Sequence, residues 1–157
     1  MSEPALRSCD ELPVPEGFVL REIGGPYFTA LGPIYMKPTP QGGAVIALRV
    51  AHQHTNMAGM THGGMLATLA DGAFGINIAM LRKRRSGQVT VSLNADYLSP
   101  ARPGDWLEAH VTVRRMGWQL AFADCLLQVG ERLVLRATAV FSFVAASGTA
   151  RPDAKDG

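Results

Sequence analysis

Hydrophobic positions along this 157-residue chain change their period once. From His62 to about Lys83, Leu66, Leu69, Ala70, Ala73, Phe74, Asn77, Ile78 and Leu81 follow the three- and four-residue spacing of an α-helix. The other face is scarcely more polar, since Ala67, Gly72, Gly75, Ile76 and Ala79 occupy it. A helix apolar on nearly every side is buried on most of them. Gly72 and Gly75 each cost about 1 kcal/mol relative to Ala inside a helix, a cost tolerated where another part of the chain must come close.

After the helix the period becomes two. Val89, Val91, Leu93, Ala95 and Tyr97 alternate with Thr90, Ser92, Asn94 and Asp96, and Leu107–Val113 alternates likewise. Runs 119–129 and 132–144 follow, with Met116-Gly117 and Gly130-Glu131 as hairpin-length turns. Ala44–Val50 reads as a strand preceding the helix, opened by Gly42-Gly43. The predicted class is α+β: an antiparallel sheet wrapped around one long central helix. One sheet covers one side of such a helix, so a second subunit is expected on the other. Prolines and glycines mark residues 1–40 as an irregular leader, residues 41–145 as the domain, and residues 146–157 as a disordered tail.

The net charge of +2 gives no reason to expect nucleic acid. Cys9 and Cys125 are far apart and read as a free thiol and a core thiol, so no metal site is expected. Met1–Glu16 has no apolar signal-peptide segment, which implies a cytoplasmic protein. The apolar run Met65–Leu81 is shorter than the ~20 residues of a membrane span and carries Asp71, so a buried soluble helix is expected rather than a membrane partner. Arg82-Lys83-Arg84-Arg85 is then its solvated end, where cations suit the helix dipole.

The chemistry concentrates in Asn56–Phe74, NMAGMTHGGMLATLADGAF. His62-Gly63-Gly64 stands where the helix should begin. Helix starts offer free backbone N–H groups and positive potential, and glycines let a ligand approach them. An oxyanion hole for a polarised carbonyl is a natural use of such a turn. Asp71 follows within an apolar helix, where an ionised carboxylate is costly unless paired or used. His52 and His54 read as flanking a strand end rather than as metal ligands. No nucleophile-elbow, zinc-protease or phosphate-loop motif competes.

Asn56, Gly59, His62, Gly63, Gly64, Leu69 and Asp71 resemble the N-x-x-G-x-x-H-G-G and L-x-D signature of the hotdog-fold, phenylacetate-degradation (PaaI-like) thioesterases. Val89–Ala101 resembles that family's strand ending in Y-x-x-P. The resemblance covers about residues 40–144 and leaves the leader outside. It implies a sheet wrapped around a central helix, a homodimer or dimer of dimers (a homotetramer), and hydrolysis of acyl- or aryl-CoA thioesters.

The resemblance also implies roles. Asp71 would act as general base or nucleophile, and the Gly63 N–H, beside Gly64, would bind the thioester oxygen. Asn56 would reach the site of the opposite subunit, Thr90 would orient the water, and His62 would fix the helix-start loop. CoA enters as part of the substrate, so no cofactor is expected. Its phosphates call for basic residues, for which Arg102, Arg114 and Arg115 are the candidates, and Gly64 is a further candidate for binding CoA. Phe74 is a candidate for the acyl pocket or for plain core. A non-catalytic acyl-CoA sensor is the alternative, and would lack the carboxylate or the asparagine. A hotdog hydratase would need a longer motif absent here. Aryl, medium-chain, long-chain and carrier-protein thioesters all stay open.

Overall fold

The structure, a computed structural model, describes residues 12–145 except Arg85. Cys9, the start of the leader and the expected tail at 146–157 lie outside the described residues. The elements run β1 (Val19–Leu20), α1 (Gly25–Thr29), β2 (Tyr35–Pro38), β3 (Ala44–Arg49), a 3-10 turn at His52–His54, α2 (Gly63–Leu81), β4 (Gly87–Tyr97), β5 (Trp106–Met116), β6 (Leu120–Val129) and β7 (Arg132–Val144). All seven strands form one sheet in the order β1-β2-β3-β5-β6-β7-β4, antiparallel at every pairing. It wraps around α2: this is a hotdog fold.

Helix α2 begins as the sequence implies. His62 is its N-cap in extended conformation, and the His62 Nδ1 accepts a hydrogen bond from the Gly64 N–H at 2.9 Å. Leu69, Ala70, Ala73, Phe74 and Ile78 are fully buried against the sheet. Phe74 packs on Phe141, with ring centroids 6.2 Å apart, and belongs to the core rather than to any pocket. Asn77, also buried, is fully engaged. Its amide accepts from the Ala44 N–H and donates to the Ala44 carbonyl, both at 2.9 Å, and donates to the Ala73 carbonyl at 3.0 Å. This side chain therefore extends the β3 ladder onto the helix. Gly43 must lack a side chain, because its Cβ would lie 2.4 Å from Asn77 Oδ1.

Residues 19–38, expected to be irregular, hold β1, α1 and β2. Strands of two and four residues are too short to show a period, and they form by pairing outward from β3. The glycines and proline read as punctuation also build α1: Gly24 and Gly25 take positive φ, and Pro26 sits in the first turn. α1 packs on α2 through Phe28, which is buried. Its ring occupies the notch over Gly72, where a Cβ would come within 2.1 Å of it. Gly72 thus admits an aromatic ring from the leader.

Both expected turns appear. Gly117 N–H donates to the Leu120 carbonyl, and Gly130 has φ 57 between β6 and β7. Arg82 departs from the expected solvated end. Its guanidinium lies 3.1 Å from the Phe143 ring centroid and donates to the Trp118 carbonyl. α2 is 19 residues long and apolar enough to resemble a span, but half of it is buried inside this fold.

Strand β4 carries a bulge. Its pairing with β7 slips between Thr90 and Ser92. Below the slip Thr90 faces the buried Phe141, and above it Leu93, Ala95 and Tyr97 face Ala139, Ala137 and Leu135. The bulge therefore puts Thr90 on the inner face with Leu93 and Tyr97, against the strict alternation the sequence suggests. Val89 and Val91 are left half exposed.

Candidate active site

β4 runs alongside α2 in the opposite direction and touches it at three levels. Gln88 Nε2 donates to the Gly75 carbonyl at 2.5 Å, Thr90 Oγ1 donates to Asp71 Oδ1 at 2.7 Å, and the Tyr97 hydroxyl donates to the Gly63 carbonyl at 3.1 Å. Asp71 is half-buried at the junction of two cavities, of about 370 and 580 Å³, that run along this side of α2. Gly24 and Gly72 border both. Asp71 therefore lines open space beside the helix and accepts one hydrogen bond from a hydroxyl.

At the start of α2 the backbone donors are divided. The Gly64 N–H is taken by His62, whereas the Gly63 N–H has no acceptor among the described residues. A Gly63 side chain would crowd the Tyr97 ring, its Cβ 3.2 Å from Cε1. His62 is itself held through its N–H, which donates to the His54 carbonyl at 2.7 Å. His54 is buried, with its Nδ1 accepting from the Ala51 N–H and its Nε2 bonded to the Leu31 carbonyl. It ties the end of α1 to the turn that leads into α2. His52 is exposed.

Asn56 lies in a tight loop closed by the Thr55–Thr61 bridge. Its Oδ1 accepts from the N–H groups of Ala58 at 2.9 Å and Met60 at 3.3 Å. The side-chain NH₂ is thereby oriented and carries no bond to a described residue.

One protomer does not bring all these groups together. Gly63 and Asp71 are eight residues apart on one helix, about 12 Å along its axis. That separation is too large for both to touch one carbonyl group.

The family model described as the thioesterase superfamily matches residues 58–136, half of the chain. A Pseudomonas aeruginosa protein whose name assigns it provisionally to the esterases is 43% identical over 128 residues, covering 82% of this chain and 96% of that protein. The chain belongs to the thioesterase superfamily. Mouse acyl-coenzyme A thioesterase 13 is 35% identical over 80 residues, 51% of this chain and 56% of that protein. The solved structure of the Escherichia coli PaaI protein, from the phenylacetic acid degradation operon, superposes with a TM-score of 0.67 at 28% identity. It covers 74% of this chain and 83% of that one. The protein is accordingly a thioester hydrolase.

The three candidate arginines of this thioesterase fall in two places. Arg102 is exposed in the loop after β4, next to Ala101, whose carbonyl accepts from both the N–H and the hydroxyl of Thr61. It therefore stands near the start of α2. Arg114 and Arg115 lie at the far end of β5, beside the turn that meets Arg82 at the other end of the helix. Arg114 pairs with Asp124 at 2.5 Å. A single protomer does not carry either of them to the cavities around Asp71.

Sequence reasoning missed Ile23, Gly24, Tyr27 and Phe28 of the leader, Gln88, and the contact of Tyr97 with Gly63. The mid-helix Gly72 signalled a close neighbour without naming it, and the Y-x-x-P pattern contained Tyr97. Cys125 is buried, and burial pushes its thiol up to about 12, so it is an inert core group rather than a nucleophile.

Proposed function

We propose that this thioesterase hydrolyses acyl-CoA thioesters, with Asp71 as the carboxylate that activates water. The observation that carries this reading is the 2.7 Å hydrogen bond from Thr90 to Asp71 at the edge of open cavities. Thr90 engages one carboxylate oxygen and leaves the other for water. As general base, Asp71 takes a proton while the water oxygen attacks the carbonyl carbon. The carbonyl π electrons move to oxygen, which the free Gly63 N–H meets as an oxyanion. One such donor is typically worth about 3–4 kcal/mol of barrier. Collapse breaks the carbon–sulfur bond, and the CoA thiolate recovers the proton from Asp71. A thiolate leaves readily, so no strong general acid is needed. The same carboxylate could act as nucleophile; oxygen-18 from water found in the enzyme after a single turnover would identify that path.

The 12 Å between Gly63 and Asp71 favours a site shared by two copies. β4 supplies a surface for the second copy. It is an eleven-residue edge strand with half-exposed Val89, Val91 and Tyr97, and it contains no lysine or proline. Unpaired edges of this kind are ordinarily blunted by such residues. Antiparallel pairing of two β4 strands about a two-fold axis near Leu93 and Asn94 would set Thr90 and Asp71 of one copy toward Tyr97 and Gly63 of the other. Asn56, two residues beyond the helix-start turn's partner His54, would then offer its NH₂ across the interface, and Arg102 would face the CoA phosphates.

Release of free thiol across a panel of acyl-CoAs tests the reading. Turnover by the wild type, abolished in Asp71→Asn, supports it; binding without turnover in the wild type overturns it.

A further inference from the structure

Asp71, Gly24 and Gly72 border two adjoining spaces, and Phe28 lines the smaller of them. The 370 Å³ space is bounded by Tyr27, Ala67, Thr68 and Leu93, with the Phe28 ring on its floor over Gly72. The 580 Å³ space extends toward the end of α2 between Ile23, Gly75, Ile76, Met80 and Phe141. Its polar side chains are Asp71, Thr90 and Gln88, and Gln88 is tethered to the Gly75 carbonyl. Beyond Gly75 the walls are apolar. Gly75 is one helical turn past Asp71 on the same face. A Cβ there would lie 3.3 Å from Gln88 Nε2 and 3.9 Å from Phe141 Cε1, so any larger side chain would project into this space.

Building on the acyl-CoA reading, we propose that the acyl group lies in the larger space along α2, that Gly75 and Met80 set its length, and that Phe28 closes the other side. The thioester carbonyl must sit at Asp71, so the acyl chain starts beside Gly72, over which the Phe28 ring is packed. An apolar chain gains by following the apolar walls rather than the side carrying Thr68 and Tyr27. Asp71 to Met80 is nine residues, about 13 Å of helix rise, the length of an extended chain of about ten carbons. The substrate class is therefore straight-chain acyl thioesters of medium length. Branched or aryl groups at the carbon next to the carbonyl would meet the Phe28 ring. Gly75 and Met80 lie within the matched residues 58–136, whereas Phe28 belongs to the leader outside them, so only the exclusion of bulky groups rests on a segment separate from the family match.

The test is kcat/KM for butyryl- to palmitoyl-CoA, with phenylacetyl-CoA as the bulky substrate. The wild type should prefer medium chains. Gly75→Val should lower the decanoyl-to-butyryl ratio at least about tenfold, the scale for methylenes that no longer fit. Met80→Trp should do the same from the far end; Met80 is half exposed, so this variant folds without repacking the core. Phe28→Leu, which keeps an apolar anchor in the Gly72 notch, should raise the phenylacetyl-to-decanoyl ratio. Ratios unchanged in both Gly75→Val and Met80→Trp would overturn the acyl assignment while leaving the hydrolase reading intact. An unchanged ratio in Phe28→Leu would overturn the role given to Phe28. Wild-type inactivity on every acyl-CoA would overturn both the reading and this inference.

Discussion

Thr90 reaches Asp71 only because β4 bulges at Val91. The hydroxyl donates to Oδ1 at 2.7 Å, and the slip between Thr90 and Ser92 puts Thr90 on the inner face. Asp71→Asn should leave a folded oligomer with kcat reduced at least about 10²-fold, the scale of general-base loss. Thr90→Ala should lower kcat by less and leave KM near its original value, and Thr90→Ser should recover most of the loss. Steady-state kinetics on one acyl-CoA checks all three; near-normal turnover in Asp71→Asn would remove the mechanism.

A site shared between copies makes a distinctive demand. Asn56→Ala and Asp71→Asn subunits, each nearly inactive alone, should recover activity when refolded together. Half of randomly exchanged dimers are mixed and each holds one intact site of two, so about a quarter of wild-type activity should return where the residues act as a unit. Exchange is confirmed by native mass spectrometry. No recovery despite exchange would place Asn56 and Asp71 in one chain's site.

The β4 edge should carry the pairing of copies. Val89→Lys and Val91→Lys put charge on positions that are half exposed in one protomer. Light scattering should show a dimer or tetramer for the wild type at micromolar concentration and a shift to monomer in the double variant, with loss of turnover. A stable, active monomer in either protein would contradict the pairing.

The two helix glycines should respond in opposite directions. Gly72→Ala would drive a methyl into the Phe28 ring, and overpacking of this kind costs about 1–3 kcal/mol. Gly75→Ala meets only the flexible end of Gln88, so the better helix propensity, up to about 1 kcal/mol, should prevail. Thermal unfolding should move down by several degrees in the first and hold or rise in the second, at about 2–4 °C per kcal/mol for a domain near this size.

Asn77→Leu keeps the branched shape of the side chain but strips the Ala44 N–H and carbonyl of their partners. Leaving two buried backbone groups unpaired should cost at least about 2 kcal/mol. Urea unfolding should show a lower midpoint with an unchanged slope. A midpoint equal to the wild type would mean that the amide adds nothing to the joint between helix and sheet.

The long helix, the later strands and their turns were legible in the chain, because periodicity there is sustained over ten or more residues. His62, Gly63 and Asp71 were legible too, since a helix start and a carboxylate in an apolar helix are local facts. Two things were decided only by tertiary structure. The face that Thr90 occupies depends on a one-residue slip against β7, and a slip shifts every side chain beyond it without altering the pattern of residues. The leader's place beside Asp71 depends on Phe28 finding Gly72, forty-four residues away, a match of shapes that neither segment encodes alone. The separation of Gly63 from Asp71, by contrast, follows from the predicted helix alone. What read as one short motif is thus held about 12 Å apart by the rise of its own backbone.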